Sequence, residues 1–355
     1  MISPALLALV RCADCRSRLE GVATHLTCSG CQRIYVSPAD YLDLRPLAQY
    51  EEQTKYLDEA LHADARHERV SPPLLGSRIR NDMLRAMLAP RPGERIVDLG
   101  CGSGRALLWN RDLGAAAVGI DIAPFFSRDA RQAVDLMLGD LRRLPFADET
   151  FDKAWSLDVL EHLSPDALAA MLAEAARILK PGGALFVYTH VRKNAAIAAG
   201  LRWINALARQ LERWDLIDLR QERLRKSDHL NPLRDVPHLE AVVSAAGFRI
   251  ETIRYYTPLV GGFVENILMR LAERAMARRA QQQRQLAGGT GAEGPGHEGT
   301  EAIKEARTRA KALIAQRGPT YLVLRGLSLL MQLDLLLFGR IRSGPFFALL
   351  VKEPQ

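Results

Sequence analysis

The sequence predicts an α/β fold built on a doubly wound parallel sheet, and three stretches predict it. Residues 95–105, Arg-Ile-Val-Asp-Leu-Gly-Cys-Gly-Ser-Gly-Arg, run from an apolar strand through an acid, Asp98, into three alternating glycines, Gly100, Gly102 and Gly104. A strand that breaks into such a turn and opens a helix leaves no side chains between the backbone and a nucleotide-like ligand. Val118-Gly-Ile-Asp-Ile122 is a second short apolar strand ending on a carboxylate, Asp121, 21 residues past Gly100, where an acid can take the two hydroxyls of a ribose. Farther on, Ser164-Pro165-Asp166 opens a helix over 167–179, and a Pro181-Gly182-Gly183 stop leads into the apolar strand 184–187. The glycine spacing departs from the dinucleotide fingerprint G-x-G-x-x-G, because the third glycine position holds Arg105.

Taken in order, these stretches resemble the class I S-adenosylmethionine (SAM) methyltransferases of the type 11-like branch. Asp98 to Gly104 with Asp121 is similar to their D-x-G-x-G-x-G loop and ribose-binding acid. Met137-Leu-Gly-Asp-Leu141 is similar to the loop that sets an acid near the adenine amine, and Leu144-Pro-Phe146 through Phe151-Asp-Lys-Ala-Trp-Ser156 to the fourth strand and its approach. The resemblance covers about residues 75 to 260 and implies a Rossmann-like, seven-stranded sheet with an antiparallel last strand. It implies SAM as cofactor, with Asp98, Gly100, Cys101, Gly102, Gly104, Asp121, Ile122, Asp140, Leu141 and Leu157 around it.

The chain of 355 residues, 48% of them apolar, is long enough for that core and for further segments. Its organisation reads as a small module over 1–46, a helical cap or linker over 47–88, the SAM-binding core over 89–256, a helical insertion over 257–345 and a final core strand over 346–355. A formal charge of +7 hints mildly at an anionic partner. Met1 to Val10 has no basic segment of an export signal, so the expected compartment is cytoplasmic, and a peripheral position at the membrane stays open.

Four of the five cysteines form Cys12-x-x-Cys15 and Cys28-x-x-Cys31, two knuckles with twelve residues between them. Two knuckles complete a tetrahedral four-thiolate zinc site with no open position, which points to a structural rather than catalytic metal. Through Leu44-Arg45-Pro46 the module resembles the zinc ribbons fused ahead of some methyltransferases, the 23S rRNA guanine enzymes among them. It is expected to lie outside the cofactor domain, so that losing a thiolate leaves SAM binding largely intact.

Tyr50, Tyr56, Leu57 and Leu61 at helical spacing mark the cap, whose aromatics are assigned to packing. A basic helical stretch, 192–225, leads to Asp228-His-Leu-Asn-Pro232, then a helix over 237–246 ending at Gly247 and a sixth strand over 248–256. The last strand is expected at 346–352. The long connection before it contains a Gly-rich flexible linker, 288–300. On one side of that linker lies a helix with Phe263, Ile267, Leu268 and Leu271 on its apolar face beside Arg270, Arg274, Arg278 and Arg279. On the other, 319–338 is long enough to span a bilayer but carries Arg325 and Asp334, each costing about 2.5 to 3.5 kcal/mol near mid-bilayer. Arg325, Ser328 and Gln332 share a stripe, so an interfacial or protein-packed helix is expected, at a membrane surface or a second subunit.

Methyl transfer asks chiefly for alignment of a nucleophile with the methyl carbon. After strand four the chain reads Ser156-Leu-Asp-Val-Leu-Glu-His-Leu163, and Glu161-His162 resembles the pair of the branch that methylates quinones and other small or lipid-like acceptors. Both residues are catalytic candidates: His162 has the proton affinity to deprotonate a hydroxyl, or it orders the SAM pocket. His190 and His229 are weaker candidates at the mouth. No Asn/Asp-Pro-Pro-Tyr/Phe motif follows strand four, which argues against exocyclic base amines, and no Pro-Cys occurs, which closes the cytosine-C5 cysteine route. The leading expectation is methylation of a small-molecule, hydrophobic or lipid-linked acceptor. An RNA methyltransferase, favoured by the ribbon and the basic charge, and a non-catalytic SAM-binding or zinc-ribbon adaptor are the alternatives.

Overall fold

The computed structural model describes residues 2–47, 70–191, 198–220, 223, 229–286 and 318–354. Residues 48–69 of the cap, the linker 288–300 and part of the basic stretch lie outside the described residues. The chain opens with a short helix α1 (Pro4–Leu9), capped by Ser3 Oγ, which accepts from Leu6 N at 3.1 Å. An antiparallel three-stranded sheet follows, β1 (Leu19–Val22), β2 (His25–Cys28) and β3 (Ile34–Val36), and then β4 (Leu42–Asp43).

The core alternates helix and strand: α2 (Gly76–Leu88), β5 (Arg95–Leu99), α3 (Arg105–Asn110), β6 (Ala116–Asp121), α4 (Arg128–Ala133), β7 (Asp135–Leu138), β8 (Phe151–Leu157), α5 (Pro165–Ile178), β9 (Leu179–His190) and α6 (Ala198–Arg213). Ser164 caps α5 by accepting from Ala167 N, and Pro165 takes the first helical position, where its missing N–H costs nothing. The fold closes with α7 (Val236–Ala245), β10 (Phe248–Tyr255), α8 (Leu259–Phe263), which runs through a π-helical turn (Val264–Leu268) into α9 (Met269–Leu286), then α10 (Pro319–Phe338) and β11 (Pro345–Lys352).

The strand order is β10-β11-β9-β8-β5-β6-β7-β4, with β11 antiparallel to both neighbours and the rest of the order from β9 to β4 parallel. Seven of these strands are those the sequence predicts. The eighth, β4, comes from the cysteine-bearing module and pairs with β7, Leu42 opposite Met137 and Asp43 opposite Leu138. The edge that β7 would otherwise expose is thereby covered.

That pairing places the module inside the same core as the sheet rather than beside it. Leu6, Val10, Tyr35, Leu42 and Leu44 are all buried and belong to one apolar cluster with Met137, Phe146 and Phe151. Polar contacts reinforce the join. Arg11 N donates to Pro145 O at 2.8 Å, and Ser3 N to Asp135 Oδ1 at 2.9 Å. Buried Glu174 on α5 accepts from Arg16 of the module, from Arg177 on its own helix and from Leu144 N, each at 2.8 Å.

The opposite face of the sheet carries α2, α3 and α10 over a second cluster that includes Ile79, Trp155, Phe347 and Met331. The charges expected to oppose a membrane span are used differently from each other. Asp334 is buried and caps α8 from a distance, accepting from Val260 N at 2.9 Å and Gly261 N at 2.8 Å, whereas Arg325 is exposed. Ser328 accepts from Leu75 N at 2.7 Å and Gln332 donates to Asp82 at 3.1 Å, so these two residues of the predicted stripe face α2. The side of α10 turned away leaves Leu322, Val323, Leu329, Leu330, Leu336 and Leu337 exposed.

Candidate active site

The site lies at the carboxyl ends of the parallel strands, where strand order reverses about β5. Gly100 takes φ +81°, and a Cβ there would stand 2.4 Å from Val159. Gly102 takes φ +51°, and a Cβ there would meet nothing within 4 Å. Packing demands the first glycine; the left-handed backbone demands the second and leaves bare main chain facing open space. Gly104, at φ +76°, opens α3.

Asp121, ending β6, steadies this loop: Oδ2 accepts from Gly102 N at 2.7 Å and Oδ1 from Ala123 N at 3.1 Å. Each oxygen keeps a lone pair for a hydroxyl. Burial raises its proton affinity. Asp98, on β5, is more extreme: it is buried, its Oδ2 has no hydrogen-bond partner, and burial with the added repulsion of Asp121 pushes its carboxyl up to about 7. A buried acceptor left unsatisfied is costly, and the ammonium of an amino-acid-bearing cofactor such as SAM would satisfy it. The residues present therefore fit that group.

Other predicted contacts fall into place unevenly. Ile122 is half-buried beside Asp121, and Leu157 ends β8. Cys101 turns inward, because Gly119 leaves room for its thiol: a Cβ on that glycine would stand 2.7 Å from Cys101 Sγ. Its N–H is bonded to Ile120 O and its carbonyl accepts from Gly104 N, so little of Cys101 faces the pocket. Asp140 is buried with Leu141, and Arg142 holds both its oxygens, at 2.8 to 3.0 Å.

Past β8 the chain enters a tight cluster. Asp158 adopts φ +56°, an uncommon conformation for a non-glycine residue that recurs where function constrains the backbone. Its carboxylate lies 3.4 Å from Arg80 Nε on α2, and the Arg80 guanidinium sits over the Tyr188 ring at 5.4 Å. Glu161 is buried, with Oε2 accepting from Thr189 Oγ1 at 2.9 Å. Burial, then the Asp158 charge, pushes Glu161 up to about 7.

His162 meets His229 edge to face, ring centroids 4.7 Å apart, and His190 lies 5.4 Å from His229. The loop bearing His229 is tied in place by Asn231 N donating to Glu161 O at 2.9 Å. Glu161, His162, His190 and His229, from three separate stretches, are thus brought to one mouth. Arg80, Asp158 and Tyr188 belong to the same cluster and escape sequence reasoning: nothing local distinguishes Arg80 from Arg78 or Arg85, and only the packing of α2 over β8 and β9 singles it out.

The four module cysteines converge as the spacing predicts. Cys12 and Cys31 Sγ are 3.6 Å apart, Cys15 and Cys28 Sγ 3.3 Å, and all four lie within 4.8 Å of one another. A tetrahedral zinc with Zn–S of about 2.3 Å sets sulfurs about 3.8 Å apart, so the set fits such an ion closely. Each knuckle turns the same way: Arg16 N donates to Cys12 O and Gln32 N to Cys28 O, with φ of +62° and +60°.

Residues 97–187 match the family described as a methyltransferase domain. A demethylmenaquinone methyltransferase of Corynebacterium kroppenstedtii is 41% identical over 104 residues, covering 29% of this chain and 44% of its own. A ubiquinone biosynthesis O-methyltransferase of Xanthomonas campestris pv. campestris is 36% identical over 141 residues, covering 38% of this chain and 58% of its own. The chain thus spans less than two thirds of these curated relatives. Among solved structures, a putative sarcosine dimethylglycine methyltransferase from Galdieria sulphuraria aligns over 84% of this chain and 99% of its own at 14% identity, with a TM-score of 0.48.

Proposed function

We propose, from a chain that carries a SAM-dependent methyltransferase domain over residues 97–187, that it methylates a small, hydrophobic or lipid-linked acceptor at a membrane surface. The observation that carries this reading is the cluster of Glu161, His162, His190 and His229 on and around the turn whose Val159 packs against Gly100 of the bare glycine loop. Bound SAM supplies an electrophilic methyl group on a sulfonium. The chain supplies the rest: Asp121 receives ribose hydroxyls, Asp98 pairs with an ammonium, and a histidine of the mouth takes the acceptor's proton. Relatives named for quinone precursors support a small acceptor.

The exposed leucines of α10 support a hydrophobic one. Among the described residues α10 is the one helix long and apolar enough to cross a membrane, yet one of its faces is bonded to α2 and α8. A helix seated that way suits an interfacial position, with exposed Arg325 on it and exposed Arg340 and Arg342 just past its end. The four thiolates would hold a structural zinc with no place for substrate.

The test is methyl transfer from labelled SAM to a lipid extract and, separately, to total RNA. Label in the lipid fraction, reduced in Asp121→Ala by the loss of about 1 to 3 kcal/mol of SAM binding, is the expected result. Label in RNA alone would replace this reading with a nucleic-acid methyltransferase, and SAM binding with no transfer to either would favour an adaptor.

A further inference from the structure

We infer that Glu161, His162 and His229 form a divalent-cation site at the mouth of the pocket, one that would hold an acceptor through a hydroxyl oxygen. The use of the cation rests on the reading of the domain as a methyltransferase; the site itself rests on geometry. One ligand atom from each of the three residues lies within 4.8 Å of the other two. Two imidazoles and a carboxylate are a donor set for zinc, manganese or iron-type ions, distinct in hardness from the four thiolates.

The supporting contacts are those of a ligating set. Glu161 Oε2 is oriented by the Thr189 hydroxyl at 2.9 Å, which leaves Oε1 for an ion. The two halves of the set come from chain segments far apart, the 3-10 turn Leu160–His162 and the loop at 229–231. The hydrogen bond from Asn231 N to Glu161 O holds them together, with Asn231 in the left-handed region at φ +48°. Glu161 is buried while His162 and His229 are half-buried, so the set is closed behind and open in front. Three protein ligands with an open side leave positions for oxygen atoms of an acceptor, and a cation there lowers the proton affinity of a hydroxyl it binds, with His190, the histidine of the cluster outside the set, left to take the proton. The acceptor class this favours is a hydroxylated one, above all one with two adjacent oxygens.

Mn2+ is the probe, because it disfavours thiolates and reports by electron paramagnetic resonance. Full-length protein carrying its zinc is expected to bind one Mn2+ per chain and to broaden the imidazole resonances of His162 and His229. His229→Gln and Glu161→Gln should weaken Mn2+ by about tenfold or more, the scale on which altered ligation is felt. SAM affinity, measured in parallel by calorimetry, should change little, whereas Asp121→Ala should lose SAM and keep Mn2+. Wild-type protein that binds SAM but no Mn2+, or Mn2+ binding without histidine broadening, overturns the site and leaves the methyltransferase reading standing. Mn2+ binding that fails only in the ligand variants, with no methyl transfer to any acceptor, supports the site and removes its proposed use.

Discussion

Two segments are added to the sheet domain, one ahead of it and one inserted before its last strand, and they are finished differently. The N-terminal module hides its apolar residues: Leu42 and Leu44 are fully buried, and β4 continues the sheet itself. Helix α10 buries one face, with Met331, Ser328 and Asp334 at 0% exposure, and leaves Leu336 79% exposed and Leu337 60%. An apolar surface that the fold has covered contributes to stability, whereas one it has left open marks a place where something else binds. The module is thus part of the scaffold of the sheet, whereas the open face of α10 is the surface on which the proposed membrane contact rests.

The strongest way to break the first half of that comparison is Cys28→Ser. Metal content should fall from one zinc per chain to none, with stability dropping by on the order of 4 kcal/mol or more, as for other losses of a metal. Because β4 and the 139–146 loop pack with the module, SAM affinity should fall as well, read by calorimetry. Unchanged SAM binding in the metal-free protein would restore a module that stands apart. Leu44→Ala tests the same join without touching the metal. A cavity at this fully buried position should cost about 2 to 5 kcal/mol in denaturant unfolding.

Asp98 adds a pH dependence that arises in the sheet itself. Its carboxyl is held up at about 7, so below that pH it is protonated and cannot pair with an ammonium; above it, it can. SAM affinity should therefore rise about tenfold between pH 6 and pH 8, and Asp98→Asn should flatten that rise. The sign is opposite for the unliganded fold, where ionising Asp98 unpaired lowers stability as pH climbs from the ordinary carboxylate range through about 7.

The smallest effect on folding is expected on α10. Leu336→Ser with Leu337→Ser should move stability by no more than about 0.5 kcal/mol per site, since both side chains stand in solvent. Sedimentation with anionic vesicles should nevertheless fall, most clearly at low salt. Vesicle binding that is absent in the wild type, together with a dimer that these changes make monomeric, would turn the exposed face into a self-association surface.

Local chemistry made much of this legible in the sequence. The strand, the glycine loop and the acid that ends the next strand over 97–121, the capped helix at 165–178 and the two Cys-x-x-Cys knuckles each depend on residues within a few positions of one another, and the structure keeps these elements. The tertiary structure decided what lies between distant segments. That Leu42 and Leu44 close the edge of β7 follows from no local pattern, because a two-residue strand has no periodicity to detect. Asp334 reads as a charge in an apolar helix until α8 presents its unpaired amides to it. His229 looks like a surface polar residue until Asn231 ties its loop to Glu161, and Arg80 resembles any helical arginine until α2 lies over Asp158 and Tyr188. Sequence fixes the short-range geometry that propensity and turn chemistry control, whereas burial and long-range hydrogen bonding choose among its polar residues which ones become a site.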